Sequence, residues 1–145
     1  MKIASAQEMF DLGLKIGGKL SAGDLILLNG PLGAGKTVLV QGIGAALGFR
    51  DITSPTFVIS RIHKGDLSLI HVDAYRLLES GNAALYLDDL DLDTPRESAV
   101  TVIEWGGAES ARLSDEILEI DIDRSAEDRV LTVRAIGPRW AGFSL

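Results

Sequence analysis

Apolar residues recur along the first twenty positions at near-helical intervals, as Met9, Leu12, Ile16 and Leu20, and Ser5 with Glu8 has capping-box spacing ahead of them. The pattern predicts a helix over residues 6–20. A short turn at residues 21–24 leads into Leu25-Ile26-Leu27-Leu28, an unbroken apolar run of the kind found in a strand buried on both faces of a parallel sheet. A glycine-rich loop follows. Residues 37–47 then read as a second helix, with Gly48 placed to end it. Further strands are predicted over residues 57–62, 67–72 and 100–103, the first two joined by a turn at Lys64-Gly65-Asp66. The stretch 74–92 is mixed and reads as helical in pieces, and its acids Asp88, Asp89, Asp91 and Asp93 read as solvated surface. Ile117, Ile120 and Ile122 lie among acidic residues, and Val130 and Val133 follow. These two segments, joined around residues 125–128, read as a hairpin or neighbouring strands near an edge. Strands interleaved with helices imply an α/β layer fold with a mostly parallel central sheet and an antiparallel edge.

Composition narrows this picture. A chain of 145 residues fits one domain, here taken as 1–145. It holds no apolar run of the roughly 18 residues that a membrane span needs, and its first residues lack the apolar centre of a secretory signal. Cysteine is absent, which removes disulfides, thiolate metal sites and a cysteine nucleophile, and suits a cytoplasmic protein. The net charge of -7 disfavours tight, stand-alone binding to a phosphate backbone, and the basic residues are scattered rather than clustered.

The strongest chemical signal is residues 30–37, GPLGAGKT, a full match to the phosphate-binding pattern G-x-x-x-x-G-K-[ST] set between a buried strand and a helix. Gly30, Gly33 and Gly35 free the backbone to turn its N–H groups on phosphate, and the helix N-terminus adds a positive dipole end. Lys36 is expected to reach the β- and γ-phosphates, and the Thr37 hydroxyl to coordinate Mg2+. The expected nucleotide contacts include Leu32 and Ala34 within the loop and Val38 next in the helix. No N-K-x-D segment of the guanine-reading kind is present, which favours ATP.

Phosphate chemistry on such a loop needs an acid near the metal, normally at the end of a neighbouring buried strand. Asp73, after Leu69-Ile70-His71-Val72, and Glu104, after Val100-Thr101-Val102-Ile103, both qualify. One would hold Mg2+ and the other orient the attacking water. Residues 53–56, TSPT, are polar, contain a rigid proline, and lie where switch segments of such proteins lie, so Ser54 or Thr56 is expected to touch the γ-phosphate or its metal. Arg76 is a candidate for transition-state charge. His63 and His71 read as structural, and Trp105 as packing either beside the nucleotide or in the core.

Together the segments GPLGAGKT at 30–37, TSPTF at 53–57, HVDAYRL at 71–77 and VIEWGG at 102–107 resemble, in order and spacing, the TsaE family, the ATPase of bacterial tRNA threonylcarbamoyladenosine biosynthesis. The resemblance spans about residues 5–122. It implies a P-loop NTPase-like three-layer α/β sandwich, with Lys36 on phosphate, Thr37 and Glu104 on magnesium, Ser54 and Thr56 in the switch, and Asp73 as an acid needed for hydrolysis. It also implies partners, the TsaD and TsaB proteins, which modify the adenosine beside the anticodon, so that tRNA is met only through the complex and the chain alone is expected to be a monomer. Weak basal hydrolysis, raised by those partners, is the matching expectation. This chain departs from the family's pattern at Met9, where members often carry Thr, and at Pro31, which is often acidic in relatives. The tail 137–145 falls outside the motifs and is assigned no role.

Two other readings use the same loop. A small-molecule or nucleotide kinase would add an acceptor pocket and an arginine-rich lid, which residues 74–98 do not suggest. Against a non-enzymatic nucleotide sensor, Asp73 and Glu104 at the two strand ends argue only weakly.

Overall fold

The structure is a computed structural model that describes residues 1–31, 34–50, 52, 60–73, 98–104, 116–124 and 127–145, with the side chains of 60–62 and 73 outside the description. Among the described residues, seven strands form one sheet: β1 (Lys2–Ile3), β2 (Leu25–Asn29), β3 (Ser60–His63), β4 (Ser68–Asp73), β5 (Ala99–Glu104), β6 (Ile117–Asp123) and β7 (Arg129–Ile136). Their order is β1-β7-β6-β2-β5-β4-β3. The four inner strands β6, β2, β5 and β4 are mutually parallel, and both margins of the sheet are antiparallel.

The apolar run of the sequence becomes the middle of this sheet. Leu25, Ile26, Leu27 and Leu28 are all buried, with β5 on one side of the strand and β6 on the other, so side chains of both pleat directions are out of water. The chain passes to one side of β2 and later to the other, which makes the carboxyl end of β2 a topological switch point where ligands settle in open α/β sheets.

Helix α1 (Ala6–Gly17) and helix α2 (Lys36–Ala46) pack against each other over the sheet face that carries Ile26, Leu28, Val100, Val102, Leu118 and Ile120. Their approach is backbone to backbone. A Cβ on Gly13 would overlap the Leu39 carbonyl, and one on Gly42 would overlap the Phe10 carbonyl. Residues 74–92, read from the sequence as helical in pieces, lie outside the described residues.

The start of α1 follows the sequence signal in part. The Ser5 side chain accepts from the Glu8 N–H at 3.1 Å, but the Glu8 carboxylate accepts from Ala4 N–H at 2.7 Å rather than from the cap residue itself. The end does not follow it. The helix stops at Gly17, three residues before position 20, because two successive glycines add little to helix stability there and the chain tightens through Lys19 N–H to Ile16 O and Leu20 N–H to Gly17 O. Leu20 still reaches the core from outside the helix. Helix α2 begins one residue earlier than expected, β4 and β5 each extend to the acid that follows the apolar run, and β3 runs on to His63. Residues 57–59 of its predicted strand are outside the described residues. The 117–133 segments do form an antiparallel pair, yet β6 is interior and β7 with β1 forms the margin.

Two features had no sequence signal. Strand β1 is only two residues long. The tail, to which no sequence motif assigns a role, closes the core: a 3-10 turn at Pro138–Trp140 buries Trp140, and the Arg139 guanidinium grips both carboxylate oxygens of buried Asp24 at 2.9 Å. Among the described residues no helix is long and apolar enough to cross a membrane.

Candidate functional site

The loop after β2 leaves the sheet at Gly30 and re-enters regular structure at Lys36, so the start of α2 sits over the carboxyl end of the central strand. Gly35 caps that helix with φ +106°, a left-handed conformation that glycine adopts without strain, and contributes no side chain to the helix's first amides. The first turn of α2 carries no acidic residue. Its N–H groups and dipole therefore form an anion-seeking end, with no acid supplied by the helix's own first turn.

Lys36 adds a formal positive charge at the same end. It is buried, 6% exposed, and its ammonium donates to the Gly30 carbonyl at 2.6 Å and the Pro31 carbonyl at 3.0 Å. These bonds hold the ammonium against the loop it serves, and offset part of the cost of taking a charge out of water. Thr37 follows, half-buried in the first turn of α2. Gly30 is constrained from a different direction: a Cβ there would lie 3.0 Å from the Ile122 carbonyl, so the loop's first residue is wedged against β6.

The two predicted acids stand side by side along the sheet. In the parallel pairing of β4 with β5, Asp73 is the register partner of Glu104, and Glu104 is in turn the register partner of Leu28 on β2, two residues before the loop. Glu104 is 4% exposed. Its Oε2 is 2.7 Å from Nε2 of His71, a ring that is fully buried, and Oε1 has no hydrogen-bond partner among the described residues. The Nδ1 of His71 is also buried without a partner. His71 was read from the sequence as structural, and its contact with Glu104 had no sequence signal, since the pairing depends on the register of two strands 33 positions apart.

A cleft of ≈ 310 Å³ opens beside the loop, between the start of α1, the start of α2 and the first residues of β7. Ala34, Gly35, Val38 and Met9 line it, with Ser5 and Arg129 at its margins. Met9 is 1% exposed, and its Cε would lie 3.1 Å from a Cβ on Gly35. Among these, Val38 and the loop residues were expected. Met9 and Arg129 were not, because only the crossing of α1 over α2 and the position of β7 bring them here.

Of the other expected site residues, Leu32, Gly33, Ser54 and Thr56 lie outside the described residues, as do Arg76 and Trp105. The structure thus brings together Gly30, Ala34, Gly35, Lys36, Thr37 and Val38 at the carboxyl end of β2, with Glu104 and the Asp73 backbone at the ends of the next two strands.

The fit of this arrangement to a nucleotide with magnesium rests on two observations: an uncapped helix N-terminus with a buried ammonium beside it, and a buried carboxylate with one oxygen engaged and the other unengaged by the described residues. The first suits phosphate. The second suits a hard cation that keeps several waters and rides on phosphate oxygens, for which one or two carboxylates suffice.

Comparison with known proteins gives a consistent result. The family model described as "Threonylcarbamoyl adenosine biosynthesis protein TsaE" matches residues 3–132. A curated relative from Streptomyces coelicolor, named tRNA threonylcarbamoyladenosine biosynthesis protein TsaE, is 46% identical over 142 residues, 92% of this chain and 94% of its own length. The protein of the same name from Mycobacterium bovis is 47% identical over 125 residues, 81% of this chain and 74% of its own length. Among solved structures, Bacillus subtilis YdiB superposes with a TM-score of 0.78 at 28% identity, covering 97% of this chain and 87% of that one.

Proposed function

The chain belongs to the TsaE family of tRNA threonylcarbamoyladenosine biosynthesis, and we propose that it serves that pathway as a magnesium-dependent ATPase working with the TsaD and TsaB proteins. The observation that carries the reading is the start of α2, where an N-terminus without a side-chain cap and the buried Lys36 ammonium concentrate positive charge in a chain whose net charge is -7.

In this reading the loop amides and Lys36 bind the β- and γ-phosphates. Lys36 exchanges its bonds to the Gly30 and Pro31 carbonyls for phosphate oxygens of greater charge. Bound magnesium supplies charge neutralisation at the phosphate oxygens. Thr37 and Glu104 hold it, Asp73 acts on the attacking water, and Ser54 and Thr56 belong to the segment that senses the γ-phosphate. The cleft lined by Met9 and Val38 takes the nucleoside, its volume lying at the low end of small-ligand pockets and its walls part apolar, part polar. The acidic chain leaves tRNA to its partners and contributes nucleotide-driven switching.

ATP consumption by the purified chain, alone and with TsaD and TsaB, tests the reading. Slow turnover alone that rises with both partners is expected. Turnover that instead requires a small phosphoryl acceptor would assign the loop to a kinase, and failure to bind ATP at all would remove the reading.

A further inference from the structure

Position 71 is an unusual place for a histidine. On β4 its neighbours Leu69, Ile70 and Val72 are apolar and fully buried, and the ring itself has no exposure. One of its nitrogens, Nδ1, finds no hydrogen-bond partner among the described residues. An aliphatic side chain would fill the same strand position without stranding a polar atom. What the imidazole gains is one contact, Nε2 to Glu104 Oε2 at 2.7 Å, between side chains that are 0% and 5% exposed. An ionised carboxylate only accepts hydrogen bonds, so the nitrogen facing it carries the proton and donates.

That geometry acts on Glu104 in a definite way. A glutamate has three side-chain torsions, and a single hydrogen bond to one oxygen selects among their combinations. The donor also sits on a rigid support, the interior strand β4 paired in register with β5. With Oε2 fixed, Oε1 is the oxygen that no described residue engages. We propose that His71 is a positioning residue: it fixes the Glu104 carboxylate so that Oε1 is presented to the magnesium of the bound nucleotide. The proposal rests on the assignment of Glu104 to the metal made above. It gives His71 a part in metal binding with no contact to metal or nucleotide, as donors behind a ligating group commonly have.

The test is calorimetry of ADP binding to the full chain, with Mg2+ and with EDTA, on the wild type and on His71→Leu, His71→Gln and Glu104→Gln. The quantity read is the gain in affinity that Mg2+ confers. His71→Leu is expected to bind ADP in EDTA as the wild type does, within about twofold, and to lose on the order of 10-fold or more of the Mg2+ gain. His71→Gln, which can offer an amide N–H to the same oxygen, is expected to recover most of it. A full Mg2+ gain in His71→Leu, with the gain lost in Glu104→Gln, would overturn the positioning role and leave the Glu104 assignment standing. A full gain in Glu104→Gln would overturn that assignment and the present proposal with it. A fall in melting temperature of His71→Leu without loss of the Mg2+ gain would mark the pair as merely structural.

Nitrogen NMR of the histidine rings in the wild-type protein gives a second reading that needs no variant. The proton is expected on Nε2 of His71, and its signal is expected to move when Mg2+ is added to the ADP complex. An unprotonated Nε2, or a signal that Mg2+ leaves in place, would contradict the proposal.

Discussion

Lys36 illustrates what a single residue type can and cannot announce. Its place after Gly35 in GPLGAGKT marks it for phosphate, and the structure sets it in the first turn of α2 with its ammonium turned on the Gly30 and Pro31 carbonyls. The motif was legible because its spacing is local: eight consecutive residues run from just past the strand end through the turn to the helix start. Lys36→Ala is expected to weaken ATP binding by 100-fold or more, since it removes the one formal positive charge the proposed site assigns to the β- and γ-phosphates; calorimetry measures it, and unchanged affinity would remove the site. Glu104 was legible in the same way, as the acid that closes the apolar run of β5. Glu104→Ala is expected to abolish the magnesium dependence of nucleotide binding while leaving binding in EDTA within a few-fold of wild type. The bond between Glu104 and His71 was not legible, because it joins residues whose proximity is created by strand register.

At the scale of elements, the two helices show where periodicity stops being informative. The apolar stripe Met9, Leu12, Ile16 located α1 and its buried face. It did not show that Gly13 and Gly42 let α1 and α2 cross with almost no side-chain spacer, nor that this crossing sets Met9 beside Gly35 and so forms a wall of the cleft. A prediction separates the two jobs that glycine does in this pair. At Gly42 an added methyl meets the Phe10 carbonyl, so Gly42→Ala is expected to cost about 1–3 kcal/mol, or more if the helices cannot shift apart. Gly48 has φ +93° and nothing within 4 Å of an added Cβ, so Gly48→Ala is expected to cost only its backbone strain, about 1 kcal/mol. Urea unfolding of both variants checks the order. Equal losses would mean that the helix crossing is looser than the structure describes. Strand β1 escaped the sequence because two residues carry no periodicity, and its pairing with β7 comes from opposite ends of the chain.

For the molecule as a whole, the sequence conveyed the layer arrangement and the parallel centre, since apolar runs separated by helical segments have few ways to form a sheet. It missed the tail, whose contacts with the rest of the molecule join residues more than a hundred positions apart at Asp24 and Lys19. Arg139 bridges to Asp24 at the start of β2, lies 4.4 Å over the Trp140 ring and donates to the Lys19 carbonyl. These contacts lie at the amino end of β2, at the opposite end of that strand from the phosphate loop. Arg139→Ala is therefore expected to lower stability by about 1–2 kcal/mol, the guanidinium being partly screened by solvent, with no change in ADP affinity. Thermal unfolding together with calorimetry reads both, and a loss of affinity would show that the two ends are coupled.

We propose that phosphate binding at the start of α2 serves tRNA modification. Mass spectrometry of tRNA nucleosides tests it most directly, in cells depleted of this protein and supplied either with the wild-type chain or with Lys36→Ala. Threonylcarbamoyladenosine is expected to fall on depletion, to return with the wild type, and to stay low with Lys36→Ala. Normal threonylcarbamoyladenosine in the depleted cells, or full recovery with Lys36→Ala, would contradict the account.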